Sequence, residues 1–577
     1  MQKCILANLN RYEKKIFYIL FWAIIFSVVF SCSNKAAISE PELNDDSEIN
    51  DRDILNDEDS EPDEELKEPL VFKSDFIEIE PVNYTFNGKN ISAGNVRMWY
   101  NFQPADEHPE DKPLFVFFNG GPGSSSTILF AYNTSKMTGD QAFSEKGVIE
   151  NEHSWTQMGN LLYIDARQTG FSYGMIDNPE SDRARSNEYS PSAFNVYIDA
   201  ADFIRVILRV LAQNSSIMSN PVILVGQSYG GTRVTAMLNI LLNIRDYASG
   251  NRNFHDEALF NEIDMHYTQI YPEISDLPGK ELIKKQFSRQ ILIQPLIAGQ
   301  DQFDHSGLIL ETPPSPIYEI EAETGVEFNP CNPYDPRCSP HNNALMYAQK
   351  AGRDMYCYRK KYNWLFEYVA IASEKITDIE LMEKLMQNDP REVDWMYAEN
   401  REKAFRHSET LSAYSALSRF AGISIPESIE TEIRYNEQYY KLLKSGNLEE
   451  VFGELEIYDD YYISLNSIVT RLFYFFDFTP YSKGNGEMFL ENIRDVETFI
   501  TNAEEDIVIY SPGIPPSLTE YDTVEEVIES DEEFTVKFKD GEEITVAFPF
   551  YPESSHSVSV NQPEKFHEDV KNWLEGE

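Results

Sequence analysis

The chain has 577 residues, which exceeds one ordinary domain but suits a single core that carries a large insertion. Asp and Glu total 97 against 48 Lys and Arg, and the formal net charge at pH 7 is -49. A chain this acidic repels the phosphate backbone, so the composition predicts no nucleic-acid partner.

The segment 1–32 has the pattern of a bacterial lipoprotein signal peptide. Basic residues precede an apolar run from Ile16 to Phe30, which is shorter than the roughly 20 residues of a membrane-spanning helix. The run ends at Ser31-Cys32, where a lipoprotein peptidase would cleave and leave Cys32 as the lipidated N-terminus. Because Phe30 is bulkier than the residue usual at that position, an uncleaved signal anchor is the alternative. Both interpretations predict an exported protein that is tethered to the membrane of the bacterial cell envelope.

Residues 33–70 are dominated by Asp, Glu, Asn and Ser and contain few aliphatic residues. Such a segment buries too little apolar surface to offset the entropy lost on ordering, so we expect a disordered tether. Its negative charges repel one another and an anionic bilayer, which would hold the following domain clear of the membrane. A solubilising leader without that role would have the same composition.

Residues 71–300 are predicted to form the first part of an α/β core. An alternating strand at Phe76–Glu80 and a turn at Asn87-Gly88 predict an antiparallel start. Strand and helix patterns then alternate from Pro113 to about Leu242, which favours a parallel sheet with crossover helices.

Two glycine-rich segments follow buried strands in this region. They are Asn119-Gly120-Gly121-Pro122-Gly123 and Gly226-Gln227-Ser228-Tyr229-Gly230. The second has the pattern of a nucleophile elbow, in which small residues let the chain turn sharply from strand to helix and expose the serine. The first brings backbone N–H groups close to a ligand, as an oxyanion hole requires. Ser228 is therefore the predicted nucleophile of an acyl-transfer site.

Residues 301–489 have a helical, aromatic-rich periodicity that predicts an insertion, and residues 490–577 return to strand patterns. A strand is predicted at Ile507–Tyr510. A hairpin is predicted at 534–548, with its turn at Asp540-Gly541.

The cysteines and histidines show no zinc motif. Cys331, Cys338 and Cys357 lie in the predicted mature chain, and their spacing lacks the paired Cys or His partners of a zinc site. In an oxidising compartment Cys331 and Cys338 can close a small loop, and pairing of either with Cys357 is the alternative. We predict no metal and no cofactor.

Four motifs, in this order, resemble the serine carboxypeptidase family, peptidase family S10, of the α/β-hydrolase fold. They are Asn119–Gly123, Asn160–Asp165 with Gly170–Tyr173, Gly226–Gly231, and His556–Glu564. The resemblance implies a mostly parallel central sheet and makes residues 301–489 a large helical cap over the active site. It also implies that His556 is the base for Ser228. The oxyanion donors that it implies are the backbone N–H groups of Gly121 and Tyr229.

The third member of the triad is missing from the place where the family has it. In the family an aspartate follows a late strand in a Gly-x-x-Asp setting, and Pro516 occupies that place here. Glu520 and Asp522 lie a few residues further on and are the predicted substitutes. The alternatives are a serine–histidine dyad without an acid and another carboxylate that the motifs do not reveal.

Three side chains are predicted to bind the terminal carboxylate of a substrate. Family members use the loop asparagine, here Asn119, and two carboxylic acids, whose positions hold Gln227 and Asn133 in this chain. Amides donate hydrogen bonds to a carboxylate without first being protonated. We therefore expect recognition to survive with a different pH dependence.

The motifs together predict an exported, membrane-tethered serine carboxypeptidase that releases C-terminal residues from peptides through an acyl-enzyme. The implied partners are a peptide with a free C-terminus and, through lipidated Cys32, the membrane. The altered carboxylate site is also compatible with an esterase or acyltransferase of the same fold. The missing acid is compatible with a catalytically inactive surface binding protein.

Overall fold

The structure is a computed structural model, and it describes residues 70–126, 133–139, 148–174, 194–298, 302, 427–428, 431, 435, 452, 483–506, 509 and 511–576. The predicted signal peptide, almost all of the predicted tether, most of the predicted cap and all five cysteines lie outside the described residues. Within the described ranges, every helix is too short or too polar to cross a membrane.

A sheet of eleven strands is the largest element of the part of the chain that the structure describes. The described strands of this and three small sheets are β1 (Lys73–Ile79), β2 (Val82–Phe86), β3 (Lys89–Ala93), β4 (Val96–Gln103), β5 (Leu114–Phe118), β6 (Met137–Gly139), β7 (Val148–Glu150), β8 (Asn160–Ile164), β9 (Tyr173–Gly174), β10 (Val222–Gln227), β11 (Phe254–His255), β12 (Arg289–Ile293), β13 (Glu497–Ile500), β14 (Asn502–Ala503), β15 (Val524–Glu529), β16 (Glu533–Phe538), β17 (Glu543–Ala547) and β18 (Phe550–Tyr551).

Helices lie between and after these strands. The described helices are α1 (Val196–Gln213), α2 (Tyr229–Leu242), α3 (Ile244–Ala248), α4 (Glu257–Ile270), α5 (Lys280–Gln286), α6 (Lys483–Asn492), α7 (Ile514–Leu518), α8 (Val558–Asn561) and α9 (Pro563–Glu575). The first of them begins where the side chain of Asn195 accepts hydrogen bonds from the N–H groups of Tyr197 and Ile198, which is a typical N-cap.

Neighbouring strands of the large sheet follow the order β1-β4-β8-β5-β10-β12-β13-β17-β16-β15, and β9 pairs with β4. The strands from β8 to β17 are parallel to one another, and the pairs at both ends of the sheet are antiparallel. A mostly parallel sheet with helices between its strands, and a nucleophile elbow after β10, is the predicted α/β-hydrolase fold.

The central strands are buried on both faces, as expected of a parallel sheet covered by helices. In β5, Val116 and Phe118 pack into one hydrophobic cluster with α1 and α2, whereas Phe115 and Phe117 pack into a second cluster with Trp155 and α9. The unbroken apolar run of β5 therefore supplies both core layers, and its C-terminal end lies at the candidate site.

The hairpin turns lie where the sequence predicts them. Asn87 and Gly88 join β2 to β3 with φ of 48° and 72°, values that favour Asn and Gly. Gly541 joins β16 to β17 with φ of 93°. The sheet resumes earlier than predicted, at β13, and in the predicted strand at 507–510 only Ile509 is described and lies outside any strand.

Candidate active site

Ser228 lies at a sharp turn between β10 and α2. Its φ of 58° and ψ of -123° are unusual for a residue with a side chain, and backbone strain of this kind is found at functional turns. A Cβ on Gly226 would come within 2.4 Å of Gly230 O, and one on Gly230 within 2.6 Å of Phe118 O. The glycines of the motif are therefore required by close backbone approach, and the turn leaves Ser228 partly exposed between buried neighbours.

The glycine loop that follows β5 lies directly against the nucleophile. A Cβ on Gly120 would come within 2.6 Å of Ser228 Cβ and 3.0 Å of Ser228 Oγ. Gly121 has φ of 107°, which is a conformation that favours glycine. We call residues 119–126 the oxyanion loop. The structure thus brings the predicted donor loop and the predicted nucleophile together.

The loop is held at its far end by a buried carboxylate. Asp165, which is 0% exposed, accepts hydrogen bonds from Ser125 Oγ, Ser126 N and Ser126 Oγ at 3.1, 2.7 and 2.8 Å. Its other oxygen accepts the N–H of Phe171 at 2.9 Å. Burial raises the pKa of Asp165 to about 6, against the lowering effect of these hydrogen bonds. A Cβ on Gly170 would come within 1.9 Å of the carboxylate, which explains the glycine there.

His556 is paired with a buried carboxylate, Asp506. His556 Nδ1 lies 2.8 Å from Asp506 Oδ2, and the side chains are 16% and 0% exposed. The second oxygen of Asp506 accepts the N–H of Ile509 at 3.1 Å. A carboxylate accepts from Nδ1–H, so this tautomer keeps a lone pair on Nε2, the form that can take a proton from a serine. The described site therefore has an acid beside the predicted base.

The prediction that Glu520 or Asp522 replaces the third acid was wrong, and the carboxylate beside His556 is one that the motifs did not reveal. Pro516 lies in α7, and Glu520 and Asp522 are exposed residues that line a cavity of about 450 Å³ beside Arg494. The error has a physical origin: the sheet resumes after the insertion at β13, before the predicted strand, so the acid that pairs with His556 comes earlier in the chain, at Asp506. A four-residue strand gives a weak sequence pattern, and no other local signal distinguishes this aspartate among so many acidic residues.

Two of the predicted substrate-binding amides donate hydrogen bonds to the segment His556–Glu564, which carries the base, instead of facing open space. Gln227 is 3% exposed, and its Nε2 donates to the carbonyl oxygen of His556 at 2.9 Å. Asn133 is 6% exposed, and its Nδ2 lies 3.0 Å from Tyr435 OH and 3.1 Å from Ser559 O. Both amides therefore hold the segment that carries the base, and their contact with substrate stays a prediction.

The third predicted amide, Asn119, is built into the oxyanion loop. Its Nδ2 donates to Ser125 O at 2.7 Å, and its Oδ1 accepts the N–H of Gly120 at 2.8 Å. The side chain thus bridges the start and the end of the loop. The structure shows a role in loop conformation, and its contact with a carboxylate stays a prediction.

One group of possible metal ligands lies in the described residues. Ligand atoms of His108, Glu110 and Asp111 lie within 4.8 Å of one another on an exposed turn. Exposed acidic groups are common without an ion, so this group alone does not make a metal centre.

Comparison with known proteins places the chain in a family. The sequence model of the family "Serine carboxypeptidase" matches residues 88–446, which include the oxyanion loop and Ser228 but not Asp506 or His556. Carboxypeptidase S1 of Penicillium janthinellum is 27% identical over 244 residues, 38% of this chain and 53% of that protein. Serine carboxypeptidase-like 14 of Arabidopsis thaliana is 29% identical over 171 residues, 27% of this chain and 36% of that protein.

The chain thus spans about a third to a half of the length of these curated relatives. Among solved structures, the prohormone-processing carboxypeptidase Kex1(delta)p of Saccharomyces cerevisiae aligns with a TM-score of 0.44 and 12% identity, covering 84% of this chain and 87% of that chain. Because the family model matches more than half of the 577 residues, the protein belongs to the serine carboxypeptidase family.

Proposed function

We propose that the protein is a hydrolase that removes C-terminal residues from peptides by way of an acyl-enzyme. The observation that carries the proposal is the 2.8 Å contact between His556 Nδ1 and Asp506. The backbone of His556 is also held close to the nucleophile, because Gln227, the residue before Ser228, donates to the carbonyl oxygen of His556. A serine at a strained elbow, a histidine and an oriented carboxylate are the components of an acyl-transfer triad.

The chemistry follows from these positions. Ser228 Oγ attacks the scissile carbonyl carbon while His556 Nε2 takes the hydroxyl proton, and the new oxyanion is bound by the backbone N–H groups of Gly121 and Tyr229. His556 then gives the proton to the departing amine, so the C–N bond breaks and an ester on Ser228 remains. Water activated by the same histidine hydrolyses that ester and restores the enzyme.

An activity-based label tests the nucleophile. A fluorophosphonate should react with wild-type protein at Ser228, and Ser228→Ala should abolish the label. Wild-type protein that stays unlabelled, or a variant that labels equally well, would favour the inactive binding protein instead.

A second function, an esterase or acyltransferase, is favoured by the contacts of the three amides. Asn119 and Gln227 each donate one amide N–H to an oxygen of the protein, and Asn133 Nδ2 lies within hydrogen-bond distance of two, so these side chains offer fewer donors to a substrate carboxylate than free amides would. Matched substrates separate the two functions: one blocked dipeptide as free acid, as C-terminal amide and as ethyl ester. A carboxypeptidase should cleave the free acid with a much higher kcat/KM than the C-terminal amide. An esterase should cleave the ethyl ester and should not distinguish the charged free acid from the neutral amide.

Export and lipid anchoring at Cys32 are proposed from the N-terminal sequence alone. The support is the apolar run that ends at Ser31-Cys32. Wild-type protein should incorporate a labelled fatty acid, and Cys32→Ser should lose the label. Wild-type protein that fractionates with the membrane, keeps residues 1–31 and carries no label would favour the uncleaved signal anchor.

A further inference from the structure

A buried ion pair lies next to both halves of the candidate oxyanion hole. Arg233 lies on α2, one turn after Tyr229, and Asp199 lies on α1. Arg233 Nε donates to Asp199 Oδ2 at 2.7 Å, and the two side chains are 2% and 6% exposed. Removing two charges from water is costly, and apolar residues of similar size often stabilise a core as well or better. Helix packing alone therefore does not account for the pair.

The pair contacts the start of the oxyanion loop and the residue that carries the second donor. Arg233 Nη1 donates to the carbonyl oxygen of Asn119, the first loop residue, at 2.7 Å. The hydroxyl of Tyr229 donates to Asp199 Oδ2 at 3.1 Å. Asp199 Oδ2 thus accepts a hydrogen bond from Tyr229 directly, and it is linked to the oxyanion loop through Arg233.

The guanidinium has little freedom to move. Its Cζ lies 4.5 Å from the centroid of the Phe203 ring and 5.2 Å from that of Tyr229, so aromatic rings contact it in addition to its hydrogen-bond partners. At the far end of the oxyanion loop, Asp165 already fixes Ser125 and Ser126. Arg233 is accordingly the charged contact at the loop's start that matches Asp165 at its end.

We infer that Arg233 and Asp199 are positioning residues that set the distance between the two oxyanion donors, the N–H groups of Gly121 and Tyr229. The inference rests on the proposed function, because it assigns those donors their role. Neither side chain needs to touch substrate. A donor that is displaced by a fraction of an ångström stabilises the oxyanion less in the transition state but leaves substrate binding nearly unchanged.

Arg233→Lys tests this inference, with Arg205→Lys as a matched control. A lysine keeps the charge, but its single ammonium cannot reproduce the fork of contacts to Asp199 and to the carbonyl of Asn119. Arg205 is equally buried and also pairs with a carboxylate, Asp256, at 2.6 Å, but it joins α1 to the start of α4. Both substitutions disturb a buried pair, and only the first disturbs the oxyanion loop.

We expect Arg233→Lys to lower kcat roughly tenfold to a hundredfold, less than the 10²–10³ that loss of a whole donor costs, with KM unchanged within about twofold. The affinity for a peptide boronic acid, whose adduct places an oxygen in the hole, should fall by the same factor. Tyr229→Phe, which removes only the hydroxyl contact with Asp199, should change kcat in the same direction by a smaller factor and keeps the test usable if the lysine variant folds poorly. Arg205→Lys should leave both quantities near wild type.

Hydrogen exchange gives a readout that does not depend on activity. Peptides that cover residues 119–126 should exchange faster in Arg233→Lys than in wild type and in Arg205→Lys. If wild-type protein is active but the two arginine variants match in kcat, boronate affinity and exchange, the inference is wrong and the proposed function stands. If wild-type Ser228 does not react with a fluorophosphonate, the proposed function fails, and unchanged exchange would overturn the structural part of the inference separately.

Discussion

Asp506→Asn is the substitution that tests the triad most directly. In the wild type, Oδ2 of Asp506 accepts from His556 Nδ1, and Oδ1 accepts the N–H of Ile509. Asparagine keeps one oxygen, which the N–H of Ile509 requires, so its NH₂ group turns toward Nδ1. The imidazole must then carry its proton on Nε2, and in that tautomer it cannot take a proton from Ser228.

The magnitude follows from this change of tautomer. The same replacement in a well-studied serine protease lowers turnover by about 10⁴, which is about 5 kcal/mol of transition-state stabilisation. Asp506 is 0% exposed, so water cannot take over the role of the lost carboxylate oxygen. We therefore expect a loss of about 10⁴ in kcat, with KM changed little because the acid does not touch substrate.

The assay is steady-state hydrolysis of a blocked dipeptide, with the rate of fluorophosphonate inactivation as a second measure of Ser228 reactivity. Glu520→Gln and Asp522→Asn are the matched controls, and both should stay within a factor of about two because the residues are exposed. Circular dichroism and thermal unfolding establish that each variant folds. A D506N enzyme within tenfold of wild type, or a large loss in either control, would refute the assignment of Asp506.

Three further changes have signs that the contacts determine. Gln227→Glu places a carboxylate where an amide donates to His556 O, so the ratio of variant to wild-type kcat/KM should fall as pH rises through that carboxyl's pKa, whereas Gln227→Met should give a ratio independent of pH. Burial raises the pKa of Asp165 to about 6, so its contribution to stability is present at low pH and is lost as pH rises through 6. Relative to Asp165→Asn, the free energy of unfolding of the wild type should fall by on the order of 3 kcal/mol between pH 4 and 7. If the difference in free energy of unfolding between the two proteins does not change with pH, burial does not raise this pKa. Burial lowers the pKa of His567, so the unfolded chain takes up its proton first and stability is lost as pH falls below about 6.5; His567→Gln should reduce this fall in melting temperature, and equal slopes would exclude His567 as its source.

The residues that sequence analysis located are those whose role depends on local backbone geometry. Ser228 needs a sharp turn between a strand and a helix, and the oxyanion loop needs consecutive glycines after a strand. Both requirements concern residues that are adjacent in the sequence, so a short motif predicts them. The placement of β5 and β10 beside each other follows from the same strand and helix alternation.

The residues that sequence analysis missed depend on contacts between distant parts of the chain. Gln227 and His556 are 329 positions apart, and Asn133 and Ser559 are 426 apart, so no local pattern reports that the amides hold the histidine segment. Asp506 depends on which short segment pairs with β12, and β13 has four residues with little hydrophobic pattern. The positions of these side chains depend on contacts between distant segments, and local secondary-structure propensity does not predict them.

Strand β12 ends at Ile293, and its neighbour in the sheet, β13, begins at Glu497. The insertion therefore separates two adjacent strands along the chain. While the chain emerges in order, β12 presents its unpaired N–H and C=O groups as an open edge until residue 497 has arrived. The elbow can fold in that interval, but its acid and base have not yet been delivered. A chain that folds as it emerges would therefore have no complete triad, and an open strand edge that can pair with other strands, until its last segment docks.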